Sequence, residues 1–388
     1  MSLRILSAPE RCVLGSIELM PFVRYVLPAG PAQTYVREMR ARGWEPTMSV
    51  FNSYARPYGG ADLNGKRLAF YRHSAFGDQL MATAVPVYLK HLFPGAQIDV
   101  YCTREVMALW RGLPVRVYAA PMIFEAVRSY DWHLFYDQML EEDREPDQEN
   151  AFDAMFAHAG FRDVEAIFKR PKVVPLADDW RELRAVQGSV ACVTWINRGL
   201  PYLVYHLGAA NPNRTYPPNQ GGQFLALFLK NHPDWRAVVV GQDAGRGQVA
   251  ELMQGFDGDR SRLEILVDAF GHFRSLVPIV QQARLVVCPD SSVGHLAAAF
   301  PGVPVVSLWG LFAPEDRAKY YANHFPLMPD RVCPHAPCRS HEFTLPQEKC
   351  AAASDNPRPA KWCAVLRSIS PEMILARAEH ALNCFSQP

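Results

Sequence analysis

Arg67-Leu68-Ala69-Phe70-Tyr71 is a short run dominated by apolar side chains, and His73-Ser74-Ala75-Phe76-Gly77-Asp78 follows it almost directly. The run reads as a buried strand and the glycine-containing stretch as a turn. Gln79 to about Phe93 reads as a helix closed by Pro94-Gly95, and Gln97 to Cys102 as the next strand. Parallel strands cannot be joined by a tight hairpin and need a crossover, usually a helix, so this unit predicts βαβ. The alternation continues less clearly to about Pro175 and restarts with a strand at Tyr202 to Gly208. Helices are predicted over Gly222–Asn231, Gln248–Phe256, Phe273–Gln282 and Val293–Phe300. Strands are predicted at Ala237–Gly241, Glu264–Val267, Leu285–Cys288 and Val305–Leu308. Two successive α/β halves joined near residues 180–200 predict two Rossmann-like, doubly wound domains facing a cleft.

Outside these halves the character changes. Residues 1–65 show short β-like pieces (Cys12–Ile17, Val23–Leu27) and a helix from Ala32 to Arg42, and read as an accessory segment. The two domains are expected over residues 66–195 and 196–330, a cysteine-rich insertion over 331–365 and a closing helix over 366–388. In that helix Ser370 reads as the N-cap with Pro371 at the first position, and Met373, Ile374, Ala378, Ala381 and Leu382 form one apolar face.

Composition excludes several classes. Forty Lys and Arg stand against 39 Asp and Glu, a net charge of +1, without the basic excess of a protein built to grip nucleic acid. The most apolar region, His295 to Pro314, is broken by Pro301, Gly302, Pro304 and Gly310, so no transmembrane segment is expected. The N-terminus carries Arg4, Glu10, Arg11 and Glu18 and forms no secretory signal. A soluble, cytoplasmic protein is the expectation. Of nine cysteines, Cys12, Cys102, Cys192 and Cys288 are scattered singly, the last three at the ends of apparent strands, as small buried hydrophobes are. A reduced compartment suits them better than a disulfide scaffold.

Three loops follow strands, at the sheet edge where open α/β folds bind ligands. The first holds Gly77 and Asp78, whose carboxylate is placed to act as a general base. The structural alternative is a helix N-cap, which contributes about 1 kcal/mol. The second is Cys288-Pro289-Asp290-Ser291-Ser292-Val293-Gly294-His295. There a helix N-terminus, the hydroxyls of Ser291 and Ser292, and His295 suit a diphosphate, or else Asp290 or Ser291 merely caps the helix. The third runs from Gly208 through Arg214 to Tyr216-Pro217, and its guanidinium suits a phosphate. A solvated surface arginine is the plainer alternative.

In combination and order these loops resemble the bacterial heptosyltransferase family of glycosyltransferases, ADP-heptose transferases of the two-Rossmann GT-B fold. The family's Ser-x-x-Gly-Asp turn, with Thr and Pro in the next helix, stands here as Ser74-Ala75-Phe76-Gly77-Asp78 with Thr83 and Pro86. Its Asp-Thr-Gly-x-x-His and Gly-Val-Pro-Val stretches stand as Asp290-Ser291-Ser292-Val293-Gly294-His295 and Gly302-Val303-Pro304-Val305. Its Pro-Gly-Ala loop with a basic residue and Trp-Pro looks like Gly208-Ala209 with Arg214 and Tyr216-Pro217. Ser292 replaces the family's Gly, and Gly294 comes two residues late. The resemblance covers residues 66–330 and implies an inverting sugar transfer with Asp78 as base. It implies donor binding by Gly77, Gly208, Arg214, Asp290, Ser291, Ser292, Gly294 and His295, with Asp290 orienting its loop. Arg214 and helix N–H groups would meet the leaving-group charge, so no catalytic metal is expected.

The implied donor is a nucleotide-diphosphate sugar, an ADP-sugar first. The acceptor is a lipopolysaccharide core sugar, a protein side chain or a modified nucleic-acid base, in that order, and a homo-oligomer is compatible with it. A nucleotide-sugar epimerase and a non-catalytic nucleotide-sugar-binding or assembly module are the alternatives.

Cys333, Cys338, Cys350 and Cys363 cluster in a proline-rich segment, with His335 and His341 as spare ligands. Four thiolates suit a closed tetrahedral site for structural zinc or iron, making this segment a small metal finger. Cysteine clusters at this place also occur in the autotransporter heptosyltransferases of the resembling family, where they hold a metal.

Overall fold

The computed structural model describes residues 3–14, 17–51, 58–73, 75–136, 150–209, 212–242, 247–330, 332–338 and 362–385. The chain divides into two compact units, Met1–Val174 and Pro175–Pro388.

The first unit opens with β1 (Leu3–Ser7), the hairpin β2 (Cys12–Leu14) and β3 (Ile17–Leu19), β4 (Arg24–Pro28), α1 (Ala29–Ala41) and β5 (Thr47–Phe51). It continues with β6 (Arg67–Tyr71), α2 (Phe76–Ala82), α3 (Ala84–Leu92), β7 (Gln97–Cys102), β8 (Arg116–Ala119), β9 (Met122–Ile123), α4 (Phe124–Val127), β10 (Trp132–Phe135) and α5 (Ala151–His158). The N-terminal strands form an antiparallel sheet, β5-β1-β4-β9, so residues 122–123 complete a sheet begun at residue 3. Leu6, Leu27, Tyr35 and Met39 pack between it and α1. The second sheet is parallel, in the order β10-β6-β7-β8. On its β7 strand the buried Asp99 carboxylate takes Arg116 Nε at 2.6 Å, Arg67 Nη2 at 3.3 Å and Tyr130 Oη at 2.8 Å.

One helix was expected from Gln79 to Phe93; the structure has two, beginning at Phe76 and broken at Thr83. Pro86 has no N–H to give the Ala82 carbonyl, which is reason enough for the break. The Thr83 hydroxyl donates to Leu80 O at 2.6 Å and accepts Lys172 N at 2.8 Å.

The second unit runs α6 (Ala177–Ala185), α7 (Val190–Asn197), β11 (Tyr202–His206), α8 (Pro218–Asn231), β12 (Arg236–Gly241), α9 (Gln248–Gly255) and β13 (Leu263–Val267). It then runs α10 (Leu276–Gln281), β14 (Leu285–Pro289), α11 (Ser292–Ala298), β15 (Val305–Leu308), α12 (Pro314–Arg317), β16 (His324–Leu327), α13 (Ala364–Ser368) and α14 (Pro371–Phe385). Its sheet is wholly parallel in the order β13-β12-β11-β14-β15-β16, the doubly wound 3-2-1-4-5-6 arrangement. β11 and β14 are buried at every position, as strands covered on both faces must be. Along α8 the stripe Phe224, Leu225, Phe228 and Leu229 faces this sheet. α8 and α9 cross so closely that a Cβ on Gly255 would lie 1.9 Å from Asn219 O.

Two helices in this unit, α6 and α7, had no strong sequence signal. Asp179 explains how α6 is held. Its carboxylate accepts Leu176 N at 2.8 Å, capping the helix, and takes Arg274 Nε and Nη2 at 2.6 Å each. Both side chains are essentially inaccessible.

In α14, Ser370 Oγ accepts Met373 N at 3.3 Å, as its capping role requires. Ile374, Ala378 and Ala381 are buried, but Met373 is 37% exposed and Leu375 takes its place inside. Cys12, Cys102, Cys192 and Cys288 are buried. Cys192, however, lies within α7 and not at a strand end; it and Trp195, one turn on, are the buried residues of that helix. Among the described residues no helix is long and apolar enough to cross a membrane.

Candidate active site

In the first unit the chain leaves β6 towards β7 and β8 on one side and returns to place β10 on the other, so the strand order reverses between β6 and β10 and the carboxyl end of β6 lies at a topological switch point. Arg72 follows β6 there, is 3% exposed, and donates from Nη1 to the carbonyl of Tyr136 beyond β10. Its Nη2 lies 3.7 Å from Asp78 Oδ1. Asp78 is the third residue of α2, not its cap, and remains a quarter exposed, with Gly77 half-buried before it. Ser74 lies outside the described residues. The Gln79 side chain donates to Arg72 O and accepts Trp110 Nε1 at 3.1 Å, so the turn is fixed from behind. The result is an oriented carboxylate beside a buried guanidinium. Arg72 was not singled out from sequence, although it is the first residue past the strand.

In the second unit the switch point falls between β11 and β14, and the two loops singled out from sequence end there. Arg214 Nη2 donates to Asp290 O at 2.7 Å and lies 3.1 Å from Asp290 Oδ2. His295 Nε2 stands 3.9 Å from Asp290 Oδ1, and His295 Nδ1 shares a 2.8 Å hydrogen bond with Tyr321 Oη. Ser291 is the N-cap residue of α11, yet its hydroxyl turns instead to His206 Nδ1 at 2.8 Å. Arg317 Nη1 approaches Asp290 Oδ2 at 3.7 Å. Asp290 Oδ2 thus has two guanidiniums within ion-pair distance. Gly208 is buried against Gln248 and Thr215, where a Cβ would come within 2.9 Å of Gln248 Oε1. Gly294 turns its open side to Cys288 Sγ, and its carbonyl accepts His324 Nε2 at 3.2 Å. Ser292 is half-buried at the first position of α11.

Arg214, Asp290, Ser291 and His295 are thus brought together, while Gly77 and Asp78 sit in the other unit. His206, Arg317 and Tyr321 are additional members that sequence reasoning missed. His206 alone had a local signal, as the last residue of a strand whose following loop was already suspected.

Burial pushes the His206 imidazole down to about 4. His324 is pushed down to about 3, first by burial and then by His295, against the opposing hydrogen bond to Gly294 O. An unfolded histidine titrates near 6.5. As pH falls from about 6.5 towards 4, the unfolded chain binds protons that these native rings refuse, so stability falls, by roughly 3 kcal/mol for a ring held near 4. The melting temperature is therefore expected to drop steadily across that window. His206→Gln removes one titrating ring and flattens the drop; an unchanged slope in that variant would overturn the assignment to His206.

Of the proposed metal ligands, Cys333, Cys338 and Cys363 are half-buried, and Cys350 lies outside the described residues, as does His341. Burial pushes the Cys363 thiol up, and the nearby Cys338 and Cys333 thiols add to it. Among the described residues no group of three or more His, Cys, Asp or Glu side chains is arranged to hold a metal ion.

No curated protein matches the chain in sequence. Among solved structures it resembles the glycosyl transferase family 9 protein of Veillonella parvula DSM 2008. The two are 13% identical over 83% of this chain and 99% of that one, with a TM-score of 0.59. It also resembles the ADP-heptose lipopolysaccharide heptosyltransferase II of E. coli, at 15% identity over 82% and 99% with a TM-score of 0.54. A third is the dodecameric iron-containing heptosyltransferase TibC of enterotoxigenic E. coli, solved with ADP-D-beta-D-heptose, at 14% identity over 99% and 92% with a TM-score of 0.54. At such identities the likeness is one of fold, and it shows the GT-B class that the resemblance implied. The family model of glycosyltransferase family 9 (heptosyltransferase) matches residues 141–343, over half of the 388. That span runs from before α5 to beyond β16 and takes in the whole switch point of the second sheet, so the chain belongs to glycosyltransferase family 9, the heptosyltransferases, and is a glycosyltransferase.

Proposed function

We propose that this glycosyltransferase moves a heptose from ADP-heptose to an acceptor hydroxyl with inversion, Asp78 taking the hydroxyl proton. The observation that carries the donor half is the convergence of Arg214, Ser291 and His295 around Asp290 at the switch point of the second sheet. A departing nucleoside diphosphate carries its charge on phosphate oxygens. A guanidinium, an imidazole and a hydroxyl set in advance stabilise that charge where it develops. The acceptor half rests on Asp78, whose carboxylate Arg72 orients at the switch point of the parallel sheet in the first unit. The proton moves to Asp78 as the hydroxyl oxygen attacks the anomeric carbon and the bond to the diphosphate oxygen breaks.

A thermal-shift panel with ADP, UDP, GDP, CDP and their sugar conjugates tests the donor reading. A ligand at one hundred times its Kd stabilises by about 2.7 kcal/mol, enough to raise the melting temperature by several degrees. A selective shift with ADP and ADP-heptose is expected; a flat panel on folded protein sinks the donor assignment.

The four cysteines Cys333, Cys338, Cys350 and Cys363 we assign to one structural zinc or iron ion. The chemistry of the thiolate set and the iron of the similar TibC support this. Such an ion would staple the segment and take no part in transfer. Elemental analysis of the purified chain is expected to give about one metal ion per chain, lost in Cys338→Ser together with melting temperature. Metal-free protein of unchanged stability would refute the assignment.

A further inference from the structure

The carboxylate oxygen Asp290 Oδ2 is approached by two guanidiniums that arrive from different loops. Arg214 Nη2 comes from the loop after β11 at 3.1 Å, and Arg317 Nη1 from the end of α12, after β15, at 3.7 Å. The strands β11, β14 and β15 are consecutive neighbours in the sheet, so all three loops leave the same edge side by side. Arg317 is 7% exposed along its side chain, and its guanidinium lies over the Phe312 ring at 4.0 Å, a stack that fixes its plane. At 3.7 Å its contact with Asp290 is an ion pair beyond hydrogen-bond length. Two planar forks converging on one oxygen present a geometry that phosphate oxygens satisfy as well as a carboxylate does. A diphosphate has oxygens on two phosphorus atoms and at least two negative charges, one for each fork.

We infer that Arg317 binds the donor's diphosphate beside Arg214, with Asp290 as the shared anchor that holds both guanidiniums in place. The inference rests on the donor reading above and adds to it a residue. Arg214 and Arg317 each take phosphate oxygens.

The test is isothermal titration of the full chain with ADP and with adenosine, or with the diphosphate and nucleoside of whichever base the panel selects. Arg317→Gln is expected to weaken ADP binding by about 10- to 100-fold, the usual effect of losing a charge-assisted hydrogen bond, and to leave adenosine within about twofold. Arg317→Lys keeps the charge beside Asp290 but lacks the fork, and is expected to weaken ADP by about fivefold. This milder variant decides the matter should the glutamine chain fail to fold. Either folded variant binding ADP within about twofold of the parent overturns the inference, as does an equal loss of adenosine, which marks a purely structural arginine. A parent chain that binds no nucleoside diphosphate sinks the donor reading itself, and this inference with it.

Discussion

Arg274→Ala lowers the free energy of unfolding by about 3–5 kcal/mol, a large share of the 5–15 kcal/mol that folded proteins of ordinary stability possess. The reason is the charge left behind. Asp179 is 1% exposed and takes both Arg274 Nε and Nη2 at 2.6 Å. Without the guanidinium its carboxylate stays buried, keeping the Leu176 N–H but losing the counter-charge of that arginine. Asp179→Ala is expected to cost slightly more, since Leu176 N also loses its acceptor at the start of α6. The double replacement Asp179→Leu with Arg274→Met removes both charges and should recover most of the loss, because a well-packed apolar pair often equals a buried ion pair. Urea unfolding measures all three. A single-variant loss below about 1 kcal/mol would show that water or neighbouring groups reach the pair after all. The consequence reaches beyond stability: this pair ties α6 to the turn before α10, two elements 95 residues apart in the chain.

Asp78→Asn is the second large effect. Asparagine keeps the size of the side chain and cannot take a proton, so kcat is expected to fall by about 10²- to 10⁴-fold. Donor affinity should stay within twofold, since the side chains proposed to meet the donor diphosphate, Arg214, Ser291 and His295, belong to the second unit. Gln79, Trp110 and the Arg72 backbone still hold the turn, and stability should change little. Single-turnover transfer from ADP-heptose, paired with donor titration, separates the two quantities. Transfer within tenfold of the parent would remove Asp78 from the role of general base and return it to a helix-first-turn acid that pairs with Arg72.

Local patterns carried the outline of this protein. Short apolar runs such as Leu285–Cys288, alternating with amphipathic stretches such as Gly222–Asn231, are enough to specify buried parallel strands with helices between them. Each loop that follows such a strand is then placed at the sheet's carboxyl edge, which is why Asp78, Arg214 and the Asp290–His295 stretch could be picked out before any coordinates. Helix ends with strong chemistry, like Ser370-Pro371, were equally plain. Periodicity states that a face is buried but not against what. The holding of α6 by Arg274 and the pairing of β4 with β9 depend on partners far away in the chain, and no short window of sequence contains both members.

The same limit applies to the site. His206 meets Ser291 across 85 residues and Arg214 reaches Asp290 across 76. Neither approach follows from either segment alone, and Arg317 is in sequence only one arginine among many. The strand order β13-β12-β11-β14-β15-β16 decides these meetings, because it sets the ends of β11, β14 and β15 side by side. Residue types were thus readable one loop at a time, whereas the clustering of cations on one buried carboxylate belongs to the folded sheet, where non-local strand pairing brings the loops together.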